Sequence, residues 1–393
     1  MDQWDVAIIG AGPAGSITAH RLALKGVHVA LLDAAEFPRD KSCGDGVGTH
    51  GLAVLERMGL GEWAGSFMAP EVLRMSPPDG SILEVRPDPG DICYGRTIPR
   101  LQLDNRLVQS AVQAGANLFE KTRVEGVELA QDGVEIRSNG SRFSARLLVL
   151  ADGSHAPVTR KLGLLDNRPD LYAVRQYVQG DSDAHKIIEF HFQPWITPGY
   201  TWIFPMNDGR ANIGTGTFAY RLKEKKVDLR DYLARFMEEQ RQNNGRLAQA
   251  QVDGIVKGHP LRTRLGASKT HAQNLLVAGD AAGLVNPLSG EGISSGMESG
   301  EIAARHILGI LSDGDFSEAR FAAYSRELIA HFQPDWRAAR LFRQVLKAPQ
   351  LINAIFRRMG QDRERALMFG YLLLNHIPQR EFLKPRKLLK LIA

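Results

Sequence analysis

The chain of 393 residues has only two cysteines, Cys43 and Cys93. Two are too few for the disulfide framework of a secreted scaffold, so a reducing compartment is expected. The start of the chain also lacks the positive charge of a signal peptide, because Asp2 and Asp5 stand there. We therefore expect a cytoplasmic protein, and Cys93, which belongs to no motif, is expected to be structural.

Long apolar runs are missing as well. The longest stretch without Asp, Glu, Lys or Arg is 190–207, and Pro194, Pro198 and Pro205 interrupt it, which excludes an ordinary membrane helix. No repeat or low-complexity segment is present, and the 11 histidines show no metal-ligand spacing, so no metal is expected. The hydrophobic fraction of 44% and the charged fraction of 24% are typical of a globular protein, and the length suggests two or three domains.

The net charge of +5 is unevenly distributed. Residues 331–393 contain 13 Lys and Arg against 4 Asp and Glu, a net of +9, which leaves −4 for residues 1–330. Residues 1–330 carry a net negative charge and would not attract a polyanion, so no nucleic acid is expected as a partner. The basic tail is either a set of solvated helix faces or a docking surface for a membrane, an acidic carrier protein or a diphosphate.

A βαβ unit opens the chain. The apolar run 6–10 ends in glycine, a helical stretch follows over 13–25, and a second apolar run covers 27–32. The turn between the first run and the helix reads Gly10-Ala-Gly12-Pro-Ala-Gly15, which matches G-x-G-x-x-G. Its glycines permit a tight turn, a close pyrophosphate and close helix packing, and Asp33 after the second run can accept hydrogen bonds from ribose hydroxyls. These features predict a dinucleotide site.

Two later segments distinguish FAD from NAD. Asp152-Gly153 and Gly279-Asp280 each follow a buried apolar run, where ligands of open α/β sheets lie, and Asp280 can bind a ribityl hydroxyl. Together with the first glycine motif, and in this order, they resemble the FAD-binding fold of the para-hydroxybenzoate hydroxylase superfamily over about residues 1–330.

A closer resemblance rests on three further segments. Phe37-Pro-Arg39-Asp-Lys41-Ser-Cys43-Gly44 contains the Lys-x-Cys-Gly motif of the geranylgeranyl reductase family. Tyr200-Thr-Trp202-Ile-Phe204-Pro205 resembles that family's Tyr-x-Trp-x-Phe-Pro substrate motif, and Gly290-Glu291-Gly292-Ile293 after Asn286-Pro287 also fits. Arg100 and Asp104 match an Arg-x-x-x-Asp pattern at the start of a helix.

The motifs and the resemblance together give a set of candidate cofactor-binding residues. Arg39 and Lys41 either contact phosphate or flavin or are solvated, and Arg100 and Asp104 either contact FAD or pair with each other. The candidates for FAD binding are Gly10, Gly12, Pro13, Ala14, Gly15, Asp33, Arg39, Lys41, Cys43, Gly44, Arg100, Asp152, Gly153, Gly279, Asp280, Pro287, Gly290, Gly292 and Ile293.

The aromatic strand is the candidate substrate pocket. Tyr200, Trp202 and Phe204 alternate, so their rings project from one face of a strand, where they either line an apolar tunnel or pack into a core. Cys43 is either a small buried residue or a proton donor beside the flavin, since a thiol with a pKa of about 8.5 is mostly protonated at neutral pH. The candidate catalytic residues are Cys43, Tyr200 and Trp202.

The expected fold class is α/β. A Rossmann-type FAD-binding domain is predicted over 1–70, 97–170 and 270–330, and an antiparallel β-sheet substrate domain over 71–96 and 171–269. Residues 331–393 are predicted to form a basic helical segment.

The function implied by the resemblance is an FAD-dependent oxidoreductase that reduces C=C bonds of an apolar, isoprenoid substrate with hydride from reduced flavin. The alternative is a flavin-dependent monooxygenase of secondary metabolism that hydroxylates or epoxidises through a C4a-hydroperoxide. A non-enzymatic FAD-binding scaffold is a third reading. The reductant is expected to be NADPH or NADH, bound transiently, or an electron-donor protein. The basic tail allows a location at the membrane surface.

Overall fold

A computed structural model describes residues 3–87, 95–165, 168–181 and 186–387, so Cys93 lies outside the described residues. In chain order, the strands of these residues are β1 (Gln3–Ile9), β2 (Val29–Leu32), β3 (Gly46–Val47), β4 (Val72–Ser76), β5 (Leu83–Val85), β6 (Arg96–Thr97), β7 (Asn117–Phe119), β8 (Val124–Ala130), β9 (Gly133–Ser138), β10 (Ser141–Leu150), β11 (Leu171–Gln179), β12 (Ile187–His191), β13 (Tyr200–Pro205), β14 (Arg210–Phe218), β15 (Gln251–Leu261), β16 (His271–Ala272) and β17 (Leu275–Val277).

The helices connect and cover two large sheets. In chain order they are α1 (Pro13–Ala23), α2 (Thr49–Arg57), α3 (Gly61–Gly65), α4 (Arg100–Gln113), α5 (Pro157–Lys161), α6 (Ala219–Lys225), α7 (Leu229–Gln242), α8 (Ile293–Asp313), α9 (Glu318–Val345), α10 (Pro349–Met359) and α11 (Arg363–Leu373). Short 3-10 helices cover Gly279–Ala282 and Gln379–Leu383. Within the described ranges, no helix is both long enough and apolar enough to cross a membrane.

The first sheet contains the predicted βαβ unit. Its strands run in the order β16-β17-β10-β1-β2-β7, and β8 and β9 extend it from β10. β1 pairs in parallel with both β10 and β2, and its residues Val6–Ile9 are buried in the core of the sheet. The ends of β1, β10 and β17 therefore meet at one edge, where the glycine turn, Gly153 and Gly279 follow them. The α/β prediction is confirmed.

The second sheet has the order β15-β11-β14-β13-β12-β4-β5. β13 and β14 form an antiparallel hairpin around the turn Asn207-Asp208-Gly209. The sheet is not antiparallel throughout, because β12 pairs in parallel with β4. That pairing brings the strands of the predicted insertion into the same sheet as the rest of the predicted substrate domain.

The C-terminal helices pack on this second sheet. Buried residues of β4, β12 and the tail share one apolar cluster, which includes Leu73, Phe190, Ile352 and Phe356. The predicted boundary between 330 and 331 lies inside α9. The tail is helical, as predicted, and it forms part of the core over the sheet.

Candidate functional site

One large cavity lies where the two sheets meet. Its empty volume is about 1650 Å³, which includes the space open to solvent at its mouth. The wall combines the turn after β1, the segment 41–49, the aromatic strand β13 and the segment 279–293. Four of the predicted motifs therefore reach a single space, although the first and the last of them are more than 250 residues apart in sequence.

The structure sorts the predicted site residues into those in the cavity wall and those that do not line the cavity. The residues in the wall are Gly12, Pro13, Ala14, Lys41, Cys43, Gly44, Arg100, Gly153, Tyr200, Trp202, Phe204, Gly279, Asp280, Gly290, Gly292 and Ile293. The predicted residues that do not line this cavity are Gly10, Gly15, Asp33, Arg39, Asp152 and Pro287.

The glycine turn after β1 is shaped for a phosphate. Gly10 has φ +100°, and a Cβ there would overlap the carbonyl oxygen of Ala151. A Cβ on Gly15 would overlap the backbone of Gly10, whereas Gly12 borders open space in the cavity. α1 begins directly after Gly12 with no side-chain cap, so its N–H groups and partial positive charge face the cavity.

The three predicted aspartates differ in position. The Asp33 carboxylate accepts hydrogen bonds from the N–H groups of Ala11 and Ala35, both at 2.8 Å, and so closes the glycine turn. The Asp152 carboxylate accepts hydrogen bonds from the N–H of Val158 and the hydroxyl of Thr159 at the start of α5, and its predicted contact with FAD stays a prediction.

Asp280 lies in the wall of the cavity. Its Oδ2 accepts a hydrogen bond from the Ser154 hydroxyl at 2.8 Å. A carboxylate has about four lone-pair positions, so the Asp280 carboxylate can still accept from a ribityl hydroxyl.

The predicted basic residues form a buried group of charges. Arg100 makes a bidentate ion pair with Asp104, with both N–O distances at 2.7 Å, and Arg39 contacts the same carboxylate at 2.8 Å. Arg100 and Asp104 therefore pair with each other and Arg39 joins them, while Arg100 also lies in the cavity wall, so its predicted contact with FAD stays a prediction. Lys41 also lies in the cavity wall, and burial, together with repulsion from Arg100, lowers the pKa of its ammonium group.

Cys43 also lies in the cavity wall, between Arg100 and the aromatic strand. Burial raises the pKa of its thiol, so the thiol is protonated at neutral pH. The positive charge of Arg100 acts on the sulfur and favours the thiolate once it forms. This environment suits an acid that gives up its proton only when a base is presented to it.

The three aromatic rings of β13 line the cavity on one face, at centroid distances of 6.1 Å from Tyr200 to Trp202 and from Trp202 to Phe204. Glycines make room for them, since a Cβ on Gly44 would lie 3.2 Å from Phe204. The Tyr200 hydroxyl donates to the main-chain oxygen of Ser289, which ties this strand to the segment before α8.

A polar network that the sequence reasoning missed holds the Cys43 segment. The Asn212 amide donates to the Cys43 carbonyl oxygen at 2.7 Å and to Asp45 Oδ2 at 2.8 Å, and it accepts from Trp202 Nε1 at 3.0 Å. The Tyr177 hydroxyl donates to the same Asp45 oxygen at 2.6 Å. Burial raises the pKa of Asp45 to about 6. Asp45 stands inside the motif already quoted, but no sequence pattern marks Tyr177 or Asn212.

Glu291 is a second residue that the prediction passed over. It lies in the cavity wall, and its carboxylate accepts a hydrogen bond from the N–H of Ser294 at 2.6 Å, at the start of α8. Burial raises its pKa to about 7. His259 also faces the cavity, and burial next to Lys41 lowers its pKa to about 2, so its ring is neutral. The cavity thus holds both hydrogen-bond donors and hydrogen-bond acceptors among its apolar surfaces.

Together these residues fit FAD. The cradle of Gly12 and α1 suits a pyrophosphate, and the cation of Lys41 and the polar groups of Asp280 and Gly292 suit an extended polar cofactor. The aromatic strand continues the same space with an apolar surface for a second molecule.

Comparisons with known proteins agree with this reading. A family model described as an FAD binding domain matches residues 3–334. A menaquinone reductase of Mycobacterium tuberculosis is 34% identical over 321 residues, which cover 77% of this chain and 76% of the relative. A digeranylgeranylglycerophospholipid reductase of Methanothermobacter thermautotrophicus is 32% identical over 334 residues, covering 82% of this chain and 81% of the relative.

A solved structure shares the fold. It is a geranylgeranyl bacteriochlorophyll reductase-like protein of Thermoplasma acidophilum, with a TM-score of 0.82, 22% identity, and coverage of 97% of this chain and 99% of the other. The cavity with its FAD cradle and these relatives lead to one conclusion: the chain belongs to the geranylgeranyl reductase family of FAD-dependent oxidoreductases.

Proposed function

We propose that this enzyme reduces C=C bonds of an isoprenoid lipid. The observation that carries the proposal is the continuity of the cavity from the FAD cradle at Gly12 to the aromatic face of Tyr200, Trp202 and Phe204. Reduced FAD supplies the hydride, and a group of the protein supplies the proton, so that two hydrogen atoms add across the double bond.

The nature of the wall supports an apolar chain as the substrate. Besides the aromatic strand, Ile188, Phe190, Leu288 and Leu374 line the same space. Such a surface binds a hydrocarbon by excluding water from both partners. One relative is named for a digeranylgeranyl lipid, whose chains are isoprenoid.

Cys43 is the proton donor in this proposal. An isolated alkene accepts hydride poorly, so the proton must arrive as the new C–H bond forms. The buried thiol keeps its proton until then, and Arg100 stabilises the thiolate that results. Tyr200 and Trp202 orient the alkene, because their rings lie on the cavity face next to the Cys43 segment.

The source of electrons belongs to the proposal as well. The sequence has one glycine-rich dinucleotide-binding motif, at Gly10–Gly15, and in this proposal FAD occupies that site. NADPH or NADH therefore binds transiently, or an electron-donor protein delivers the electrons. Stopped-flow reduction of the bound FAD by each candidate identifies the reductant.

The test begins with anaerobic reduction of the FAD-loaded enzyme by dithionite. Geranylgeranyl diphosphate, a digeranylgeranyl glycerophospholipid and menaquinone are then added in turn. The expected result is reoxidation of the flavin with a gain of two hydrogen atoms per reduced double bond, read by mass spectrometry; the menaquinone product is first reoxidised to the quinone, so that only a reduced side-chain double bond adds mass. Flavin that stays reduced with every compound would contradict the proposal, and a product that gains one oxygen atom, and only when O2 is admitted, would favour a monooxygenase.

The role of Cys43 is tested in the same assay with Cys43→Ala and Cys43→Ser. If the thiol donates the proton, the alanine variant loses about 10²-fold or more of the reoxidation rate while its FAD content is unchanged. Serine, a much weaker acid, restores little of that rate. Unchanged rates in both variants would assign the proton to another group.

A further inference from the structure

Four arginines, three of them from the basic tail, form a cluster near the cavity wall. Arg337, Arg340 and Arg343 lie along one side of α9, at a spacing of three residues, and Lys347 follows the end of the helix. Arg264 belongs to the same electrostatic group, since its charge acts on both Arg340 and Arg343. We call these four arginines, 264, 337, 340 and 343, the arginine cluster.

Contacts with aromatic rings place the cluster next to the cavity. The Arg343 guanidinium lies over the ring of Phe218, 4.2 Å from its centroid, and Phe218 is part of the cavity wall. Phe218 ends β14 and pairs with Leu171, which in turn pairs with Leu261, and both leucines line the cavity. The Arg343 guanidinium therefore lies about one ring's thickness outside the apolar space.

The positive charge of the cluster is poorly balanced. Asp170 is the carboxylate near it, but its oxygens accept hydrogen bonds from the N–H and hydroxyl of Thr263, and its ion pair with Arg264 is long, at 3.6 Å. Among the residues that the structure describes, no carboxylate forms an ion pair with Arg337, Arg340 or Arg343.

Arg343 is the member with the most unsatisfied nitrogens. Its Nε and Nη1 atoms are buried without a hydrogen-bond partner in the described part of the chain. Burial and the neighbouring guanidinium groups lower the pKa of both Arg340 and Arg343, although an arginine keeps its charge. An anion held at this place would relieve the repulsion and satisfy those donors, and guanidinium groups bind phosphate oxygens in bidentate fashion.

We propose that the arginine cluster binds the phosphate or diphosphate head of the prenyl substrate, while the hydrocarbon chain lies in the cavity past Phe218. The proposal rests on the proposed function for the identity of the substrate's hydrocarbon chain. The anion site itself is defined by the charges of the arginine cluster. A phosphate placed here would fix the distance from the head of the substrate to the double bond that reaches the flavin.

The test measures binding alone, so that it is independent of turnover. The dissociation constants of the FAD-loaded enzyme for geranylgeranyl diphosphate and for geranylgeraniol are compared by quenching of tryptophan fluorescence. The wild type is expected to bind the diphosphate about tenfold or more tightly than the alcohol, and the double variant Arg340→Gln/Arg343→Gln to lose that preference while its affinity for the alcohol is unchanged. Arg326→Gln is the control, because it removes one exposed charge from the same helix about 20 Å away.

Two further measurements use the wild-type protein alone, so that they do not depend on whether a variant folds. Inorganic pyrophosphate should compete with the prenyl diphosphate in the wild type, and raising the salt concentration should reduce the wild-type preference without any mutation. A wild type with equal affinity for both compounds would overturn the proposal. So would a double variant that keeps its preference for the diphosphate but no longer binds vesicles of anionic phospholipid, since the cluster would then serve a membrane surface. Preference for the diphosphate without reduction of either compound would leave the anion site in place and refute only the reductase activity.

Discussion

The side-chain amide of Asn212 holds the main-chain oxygen of Cys43 at 2.7 Å. The two residues lie 169 positions apart in the chain, one in the segment after β2 and the other on β14. The substrate sheet thus fixes the position of the candidate proton donor, which belongs to the FAD-binding half of the molecule.

Replacing Asn212 with alanine should therefore loosen the Cys43 segment. The buried oxygens of Cys43 and Asp45 lose a donor, which costs about 1–3 kcal/mol of the free energy of unfolding. We expect the rate of substrate reduction to fall about tenfold or more, because the thiol is no longer held against the double bond. Thermal unfolding and the rate of flavin reoxidation measure the two effects.

Asn207→Ala is the matched control for this variant. Asn207 is exposed in the turn between the same two strands, and its amide bonds to the main-chain oxygen of Ser66. If Asn212→Ala reduced substrate as fast as Asn207→Ala does, the network would have no part in positioning Cys43.

The parts of the fold and site that the sequence predicted are those with local signals. The glycine turn at Gly10–Gly15 and the alternation of Tyr200, Trp202 and Phe204 depend on neighbouring residues, so their geometry could be predicted. Asn212 and Tyr177 act through side chains that meet Asp45 only after two sheets pack together. No spacing in the chain encodes that contact, and a single polar residue on a strand carries no signal of its partner.

The tail shows the same limit for packing. Its helices were predicted from the recurrence of apolar residues, but the surface that those residues cover could not be read from the sequence. Leu374 reaches the cavity because the helices α9 to α11 fold back on the second sheet. A residue of the tail therefore contributes to the wall of the cavity.

Lys41→Met should weaken the binding of FAD. Lys41 is a cation in the cavity wall, close to Gly153 and within the field of Asp280. Methionine keeps the length of the side chain and removes the charge that would meet an anionic part of the cofactor. We expect the dissociation constant of FAD to rise about tenfold or more, measured from the fluorescence of released flavin. Lys25→Met, at an exposed position, should bind FAD like the wild type.

Leu374→Trp should shorten the apolar space and change the preference for chain length. The larger ring would occupy volume next to Leu288 and Ile188, which line the same cavity. We expect kcat/KM for a geranylgeranyl substrate to fall about tenfold or more relative to that for a geranyl substrate. Leu351→Trp adds the same ring to an exposed position of the tail and should leave the ratio unchanged. An unchanged ratio in Leu374→Trp would show that the chain does not pass this residue.

Glu291 provides a prediction about pH. Its pKa is about 7 in the folded protein, against an ordinary value of 4.5, because burial disfavours the carboxylate. The folded state thus holds this proton more tightly than the unfolded state does. The stabilising contribution is complete below about pH 4.5 and is lost as the pH rises through 7.

Glu291→Gln removes this titration and keeps the shape of the side chain. Relative to the wild type, the variant should therefore gain about 1–3 kcal/mol in the free energy of unfolding as the pH is raised from 5 to 8. His50 and Glu298, which also act on Glu291, are present in both proteins, so their own titration largely cancels in the difference. Guanidinium denaturation at both pH values gives the comparison, with the exposed Glu62→Gln as control. A difference between wild type and Glu291→Gln that does not change with pH would mean that Glu291 is already ionised throughout this range, and that it caps α8 as a carboxylate and holds no proton for the cavity.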